Sequence, residues 1–163
     1  MGSLEIRPAQ PADIPAILLL LRELAAFESH LDRVHIDAAR LTEYAFGPKA
    51  FVELLIAILD GQPVAYALFF PHFASFRGLP WLYLEDIYVQ SVTRGHGVGR
   101  ALMARLARIT IDRGWAGMAW GVLDWNQNAF AFYRGLGAVD SNGHVTMEIS
   151  GEGLQRLALT ISQ

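Results

Sequence analysis

Apolar and polar residues alternate through LEIRPA, residues 4–9, and this period of two predicts a first strand. Beyond it the period lengthens. Ile14, Ile17, Leu18, Leu21, Leu24 and Ala25 recur at helical spacing, so a helix opens at Gln10-Pro11-Ala12-Asp13 and lays one face on a core. Proline fits the first turn because its missing N–H has no intrahelical partner there, and Asp13 suits the positive helix end. A polar connection, FESHLDRVH, leads to a second helix over HIDAARLTEYAF, closed by Gly47-Pro48. FVELLIAIL and PVAYALFFPHF read as strands joined by an Asp60-Gly61 hairpin turn. LPWLYLEDIYVQ is apolar enough for a central strand, and an amphipathic helix then ends near Arg113-Gly114. A strand over WAGMAWGVL, a short helix over NQNAFAFYRGLG with Gly137 as C-cap, and two short strands within 138–149 follow. The tail GEGLQRLALTISQ reads as a closing helix or a frayed end. This order predicts an α/β fold: a mixed sheet flanked by helices, antiparallel across hairpins and parallel across a helical crossover. No linker, repeat or low-complexity stretch interrupts it, so residues 1–163 are expected to form a single domain.

Composition narrows the partners. The 163 residues are 53% hydrophobic and 18% charged, which excludes a disordered chain. A net charge of −3 argues against a nucleic-acid partner and mildly favours a cationic one. There is no cysteine, which removes a thiol nucleophile, a thiolate metal site and a disulfide framework, and fits a reducing, cytoplasmic setting. MGSLEIRPAQ lacks the apolar core of a secretory leader, and AILLLL stops at Arg22, far too short for a membrane span. The histidines show no closely spaced ligand pair, so no metal is expected. His72 and His144 carry no signal.

The stretch RGHGVGR, residues 94–100, lies between a strand and a helix. Glycines let backbone N–H groups converge, and a helix N-terminus directly after them suits an anion. A triphosphate loop needs Gly-Lys-Ser/Thr, but Arg100-Ala101 follow Gly99. A dinucleotide turn belongs after the first strand and has a different glycine spacing. A turn that uses glycine for geometry alone stays open. The fourth reading is the diphosphate of coenzyme A, matched by Arg94, Gly97 and Gly99.

That match is joined by IRPAQPADI near the start, ELAAFE at 23–28, LYLEDIYV at 82–89, DWN at 124–126 and FYRGLGA at 132–138. With these motifs in order, the chain resembles the GCN5-related N-acetyltransferase (GNAT) superfamily, and within it the diamine (spermidine/spermine) acetyltransferases. The resemblance implies a sheet splayed between its fourth and fifth strands, with acetyl-CoA in the gap. The backbone of Ile87, Tyr88 and Val89 would pair with the pantetheine arm. N–H groups of Arg94, Gly95, His96, Gly97, Val98, Gly99 and Arg100 would hold the diphosphate, and Asn126 would lie against the cofactor as well as cap its helix. His96 reads as a solvent-facing spacer.

The resemblance further implies a homodimer and direct attack by a small amine within a ternary complex, which the absence of cysteine favours. Tyr133 would protonate the leaving thiolate, and Glu85 would take the amine proton directly or through water. From residues alone, Tyr133 reads equally as a core tyrosine and Glu85 as an ion-pair partner. Phe27, Glu28, Glu85, Asp86 and Trp120 would contact the acceptor. Neighbours on a strand point to opposite faces, so Glu85 and Asp86 are expected to part, one facing the cleft and the other the opposite layer. After Ala138 the chain departs from the diamine pattern, which leaves a diamine or polyamine, a lysine-like amino acid or a protein amine as acceptor. A noncatalytic acyl-CoA-binding module is the remaining alternative, and intact Glu85 and Tyr133 count against it.

Overall fold

A computed structural model describes residues 2–141 and 146–159. The chain gathers into two compact units, Met1–Asp124 and Trp125–Gln163. In the first, β1 (Leu4–Pro8), α1 (Ile14–Phe27), α2 (Ala38–Phe46), β2 (Glu53–Leu59), β3 (Gln62–Ala74), β4 (Leu79–Val89), α3 (Val98–Asp112) and β5 (Met118–Trp120) follow the hydrophobic pattern. The strands form one five-stranded sheet in sequence order. β1 to β4 are antiparallel neighbours, and β5 joins β4 in parallel after α3 crosses over. β1 and β2 are antiparallel although no hairpin joins them. Two helices in series lie between them, and the second adds a reversal that a single crossover helix lacks.

Local chemistry sets the boundaries. Asp60 and Gly61 both have positive φ, 51° and 79°, as a two-residue hairpin matched to strand twist requires. The expected N-terminus of α1 divides in two: Pro11–Asp13 form a tight 3₁₀ turn, and the α-helix begins at Ile14. Asp13 accepts two hydrogen bonds from Arg7, at 2.7 and 2.9 Å, and one from Gln10 N–H. That guanidinium holds its carboxyl below the ordinary aspartate range. The Asp37 side chain caps α2 by accepting from Arg40 N–H at 2.8 Å.

One face of the sheet is sealed by Ile14, Ile17 and Leu20 of α1 and Leu41 of α2, packed with Leu54, Ile56, Tyr66, Leu68 and Tyr88. Leu18, Leu21 and Leu24 lie at the margin of this cluster rather than in its centre. Alternation sends Leu55, Ala57, Ala65, Ala67 and Phe69 to the other face, and these are buried too. α3 buries Val98, Leu102, Met103 and Leu106.

In the second unit, the Asn126 side chain accepts from Ala129 N–H at 3.1 Å and so opens α4 (Gln127–Arg134), as expected. The regular helix stops at Arg134. Gly137, at φ 93°, closes it with Gly137 N–H to Arg134 C=O and Ala138 N–H to Tyr133 C=O. The tail forms α5 (Gly151–Leu159).

Two expectations need correction. The strand over WAGMAWGVL shrinks to Met118–Trp120. Residues 138–141 and 146–149 carry no strand, while 142–145, His144 among them, lie outside the described residues.

Candidate active site

β4 carries the site in the first unit. Its ladder to β5 covers only Leu82 to Leu84, yet β4 runs on to Val89. Glu85 to Val89 therefore continue past the end of β5, with no strand paired on that edge among the described residues. β4 is also bulged. Leu68 of β3 faces Asp86 while its neighbour Phe69 faces Leu84, so Glu85 is an extra residue between two paired ones. A bulge shifts the phase of side chains along a strand. Asp86 falls on the α1/α2 face with Leu68 and Tyr66, and Glu85 turns into the same cavity. The two carboxylates converge, which overturns the expectation that they part.

The cavity has a volume of 530 Å³ and lies between β4, the end of α1 and the connection into α2. Glu28, Glu85 and Asp86 line it, as do Arg33, His30, His35 and Arg40. Leu21, Leu24 and Ile36 supply apolar wall. Glu85 is exposed, whereas Asp86 is partly buried and accepts a hydrogen bond from the fully buried Tyr66 hydroxyl at 3.1 Å. Burial and the like charges of Glu85 and Glu28 push the Asp86 carboxyl up to about 6, against the opposing pull of that hydrogen bond. His30 Nδ1 lies 3.8 Å from Glu28. A cationic amine in this space would relieve mutual repulsion among the carboxylates.

Past β4, a 3₁₀ turn at Ser91–Thr93 leads into the glycine turn. Gly95 and Gly97 take positive φ, 83° and 79°, and a Cβ at either would meet nothing within 4 Å. Glycine is needed there for backbone conformation, not for space. The first bond of α3 runs from Ala101 N–H to Gly97 C=O, so the amides of Val98, Gly99 and Arg100 stand outside the helical ladder. This donor set fits an anionic diphosphate at a helix N-terminus. His96 is exposed, with Nδ1 3.2 and 3.1 Å from the carbonyls of Thr93 and Arg94. The Arg94 side chain folds back, donating to Val89 C=O at 3.1 Å and lying over the rings of Phe27 and Tyr88.

Of the residues expected at the acceptor, Glu28, Glu85 and Asp86 meet in the cavity. Phe27 does not line it; its ring lies 5.2 Å from the Arg94 guanidinium. Trp120 ends β5 opposite Leu84, partly buried, and is not a lining residue. Ile87, Tyr88 and Val89 lie on the stretch of β4 beyond β5. Tyr133 belongs to the second unit, on α4, half-buried with its ring 5.2 Å from that of Phe132. Sequence reading missed Tyr66, which looks like one more apolar strand residue, and Arg33 and Arg40, which look like solvated charges. Among the described residues no cluster of three or more His, Asp or Glu could hold a metal. No described helix is long and apolar enough to cross a membrane.

Comparison with known proteins gives the class of enzyme to which this fold belongs. Residues 18–138 match the model of the acetyltransferase (GNAT) family. The chain belongs to the GNAT family and is an N-acetyltransferase. It is 34% identical, over 97% of its length and 99% of the other protein's, to thialysine N-epsilon-acetyltransferase of Bos taurus. It is 35% identical to spermidine/spermine N(1)-acetyltransferase-like protein 1 of Homo sapiens over 86% of this chain and 21% of that one. These relatives support the superfamily and the polyamine-acetyltransferase group to which the motifs pointed. An integron cassette protein from the mobile metagenome of V. cholerae shares the fold with a TM-score of 0.80 at 24% identity, covering 96% of this chain and 98% of that one.

Proposed function

We propose that the protein transfers acetyl from acetyl-CoA to the primary amine of a small cationic acceptor, by direct attack in a ternary complex. The observation that carries this reading is the convergence of Glu28, Glu85 and Asp86 in one cavity beside the open edge of β4. Acetyl-CoA would supply the activated thioester. The amides of Gly95 to Arg100 would bind its diphosphate, and the backbone of Ile87, Tyr88 and Val89 its pantetheine arm. The carboxylates bind the ammonium and hold it near β4. Glu85 takes one proton from the ammonium, directly or through water, and so exposes the lone pair that attacks the thioester carbonyl; the second nitrogen proton passes to solvent as the amide forms and the C–S bond breaks. Tyr133 donates its proton to the sulfur as the C–S bond breaks; a phenol and an alkyl thiol have similar acidities, so the transfer is close to balanced. Asn126 would bear on the cofactor as well as cap α4. Residues 1–163 would act as one acetyltransferase domain, in a cytoplasmic homodimer.

Two acceptor classes fit the acidic wall. A diamine or polyamine would use several carboxylates at once. A lysine-like amino acid would use them at one end, a reading favoured by similarity to a thialysine acetyltransferase.

Thiol release from acetyl-CoA, measured against putrescine, spermidine, spermine, lysine and a lysine peptide, tests the proposal. Turnover with a small amine is expected, and Tyr133→Phe should lower kcat by roughly 10²-fold with cofactor binding retained. Cofactor binding without turnover on any amine would point instead to a noncatalytic acyl-CoA-binding module.

A further inference from the structure

We propose that Arg33 and Arg40 form a carboxylate-binding subsite in the cavity, so that the acceptor is an amino acid with a side-chain amine. Its amine would be held by Glu28, Glu85 and Asp86, and its α-carboxylate by the two guanidiniums. This inference rests on the acetyl-transfer reading and narrows its acceptor.

The opposite charges reach the cavity from different elements. Glu85 and Asp86 come from the bulge of β4, and Glu28 from the end of α1. Arg33 ends the short 3₁₀ turn Leu31–Arg33, and Arg40 sits in the first turn of α2. Neither guanidinium forms an ion pair with a carboxylate among the described residues. The Arg40 guanidinium is nevertheless positioned: it donates to His35 C=O at 2.9 Å, while its backbone N–H is fixed by Asp37.

Charge then separates the two acceptor classes. The lining carries three carboxylates and two guanidiniums, with His30 and His35 besides. A diamine or polyamine is cationic at both ends, so the two guanidiniums would repel the end that the carboxylates do not hold. A zwitterionic amino acid meets the acidic wall with its amine and the basic wall with its carboxylate, and planar guanidiniums match carboxylate geometry. The 530 Å³ volume leaves room for either class, so charge and not size separates them.

The test compares lysine with lysinamide, which neutralises only the carboxylate, and with cadaverine, which lacks it. For the unmodified protein kcat/KM should favour lysine over both by about 10-fold or more, the scale of a charge-assisted hydrogen bond. Arg33→Gln and Arg40→Gln should each pull the lysine-to-lysinamide ratio toward one, while Arg33→Lys, which keeps the charge but not the planar fork, should fall between Arg33→Gln and the unmodified protein. Arg33 is an exposed residue whose side chain bonds to no other described group, so its variants should fold even if loss of the Arg40–His35 bond disturbs the connection. Equal turnover of the three acceptors, or variants that depress all three alike, would overturn the subsite. If no amine is acetylated, the parent reading fails, and calorimetry still decides the subsite: tighter binding of lysine than of cadaverine supports it, and equal or weaker binding refutes it.

Discussion

The glycine turn follows β4, and the acidic cavity takes two of its carboxylates from β4 itself; on the proposed reading the two would recognise charge by opposite means. The turn is made of backbone. Its charge is the partial positive charge of amides at the start of α3, and two left-handed glycines set its shape. Anion binding there, as proposed, would need no side chain and no ionisation. The cavity is made of side chains from three elements, and its charge depends on a carboxyl that burial has moved to about 6. An anion cradle of amides carries its cost in backbone geometry, whereas a cation box of carboxylates carries it in desolvation and mutual repulsion. The first should therefore respond to backbone substitutions and hardly to pH, and the second the reverse.

The largest effect is expected from Asp86→Asn. The amide still accepts from Tyr66 but removes a charge that would face the proposed amine, and kcat/KM should fall by about 10²-fold or more. Stability should move the other way. Folding raises the Asp86 pKa from 3.8 to about 6, so the native state binds the proton more tightly than the unfolded chain. The resulting stabilisation is complete below pH 3.8 and is lost as pH rises through about 6. The shift corresponds to about 3 kcal/mol at most, so the variant should gain about 1–3 kcal/mol at pH 7 and little at pH 4. Urea unfolding at the two pH values measures this. In the unmodified protein kcat/KM should rise with pH through about 6. A flat profile, or a variant no more stable at pH 7, would erase the contrast with the turn.

A smaller effect, confined to the other region, is expected from Gly97→Ala. The new Cβ meets no neighbour, so the penalty is the left-handed conformation alone, about 1–2 kcal/mol. The KM for acetyl-CoA should rise about 10-fold, with kcat at saturation far less affected and no change in the shape of the pH profile. A shift in that profile would mean that the turn and the cavity are coupled.

The same contrast explains what was legible in the sequence. Gly95, Gly97 and the helix after them announce their geometry, because glycine is the residue that takes positive φ at little cost. The Asp60-Gly61 hairpin, the Asn126 cap and the Gly137 closure were legible for the same local reason. The convergence of Glu85 and Asp86 was not. It depends on one extra residue in the pairing of β3 with β4, and strict alternation gives the opposite answer. Tyr66 was hidden because a hydroxyl in the middle of PVAYALFF is betrayed only by the carboxylate across the sheet. Leu20 was passed over because any residue of the run Leu18 to Leu21 fits a helical period, and only packing chose the innermost. Local conformation was readable; register and packing between distant segments were not.

The smallest effect sharpens the comparison most. The rim of the cavity also contains a left-handed residue, but there it is Ser29, at φ 60°. It ends α1 through two bonds, Ser29 N–H to Ala26 C=O at 3.1 Å and His30 N–H to Ala25 C=O at 2.8 Å. This closure positions Glu28 and His30, which flank Ser29 in the chain and both line the cavity. A serine in this conformation costs about 1 kcal/mol that glycine avoids, although glycine loses more freedom on folding. Ser29→Gly should therefore stabilise the protein by about 0.5 kcal/mol, a rise in Tm of about 1–2 °C by calorimetry. It should also loosen the backbone that presents Glu28, raising the acceptor KM by about twofold with the KM for acetyl-CoA unmoved. If stability falls instead, the serine side chain contributes more than its backbone costs, and the cavity rim would rest on side-chain contacts even at the one place where it imitates the glycine turn.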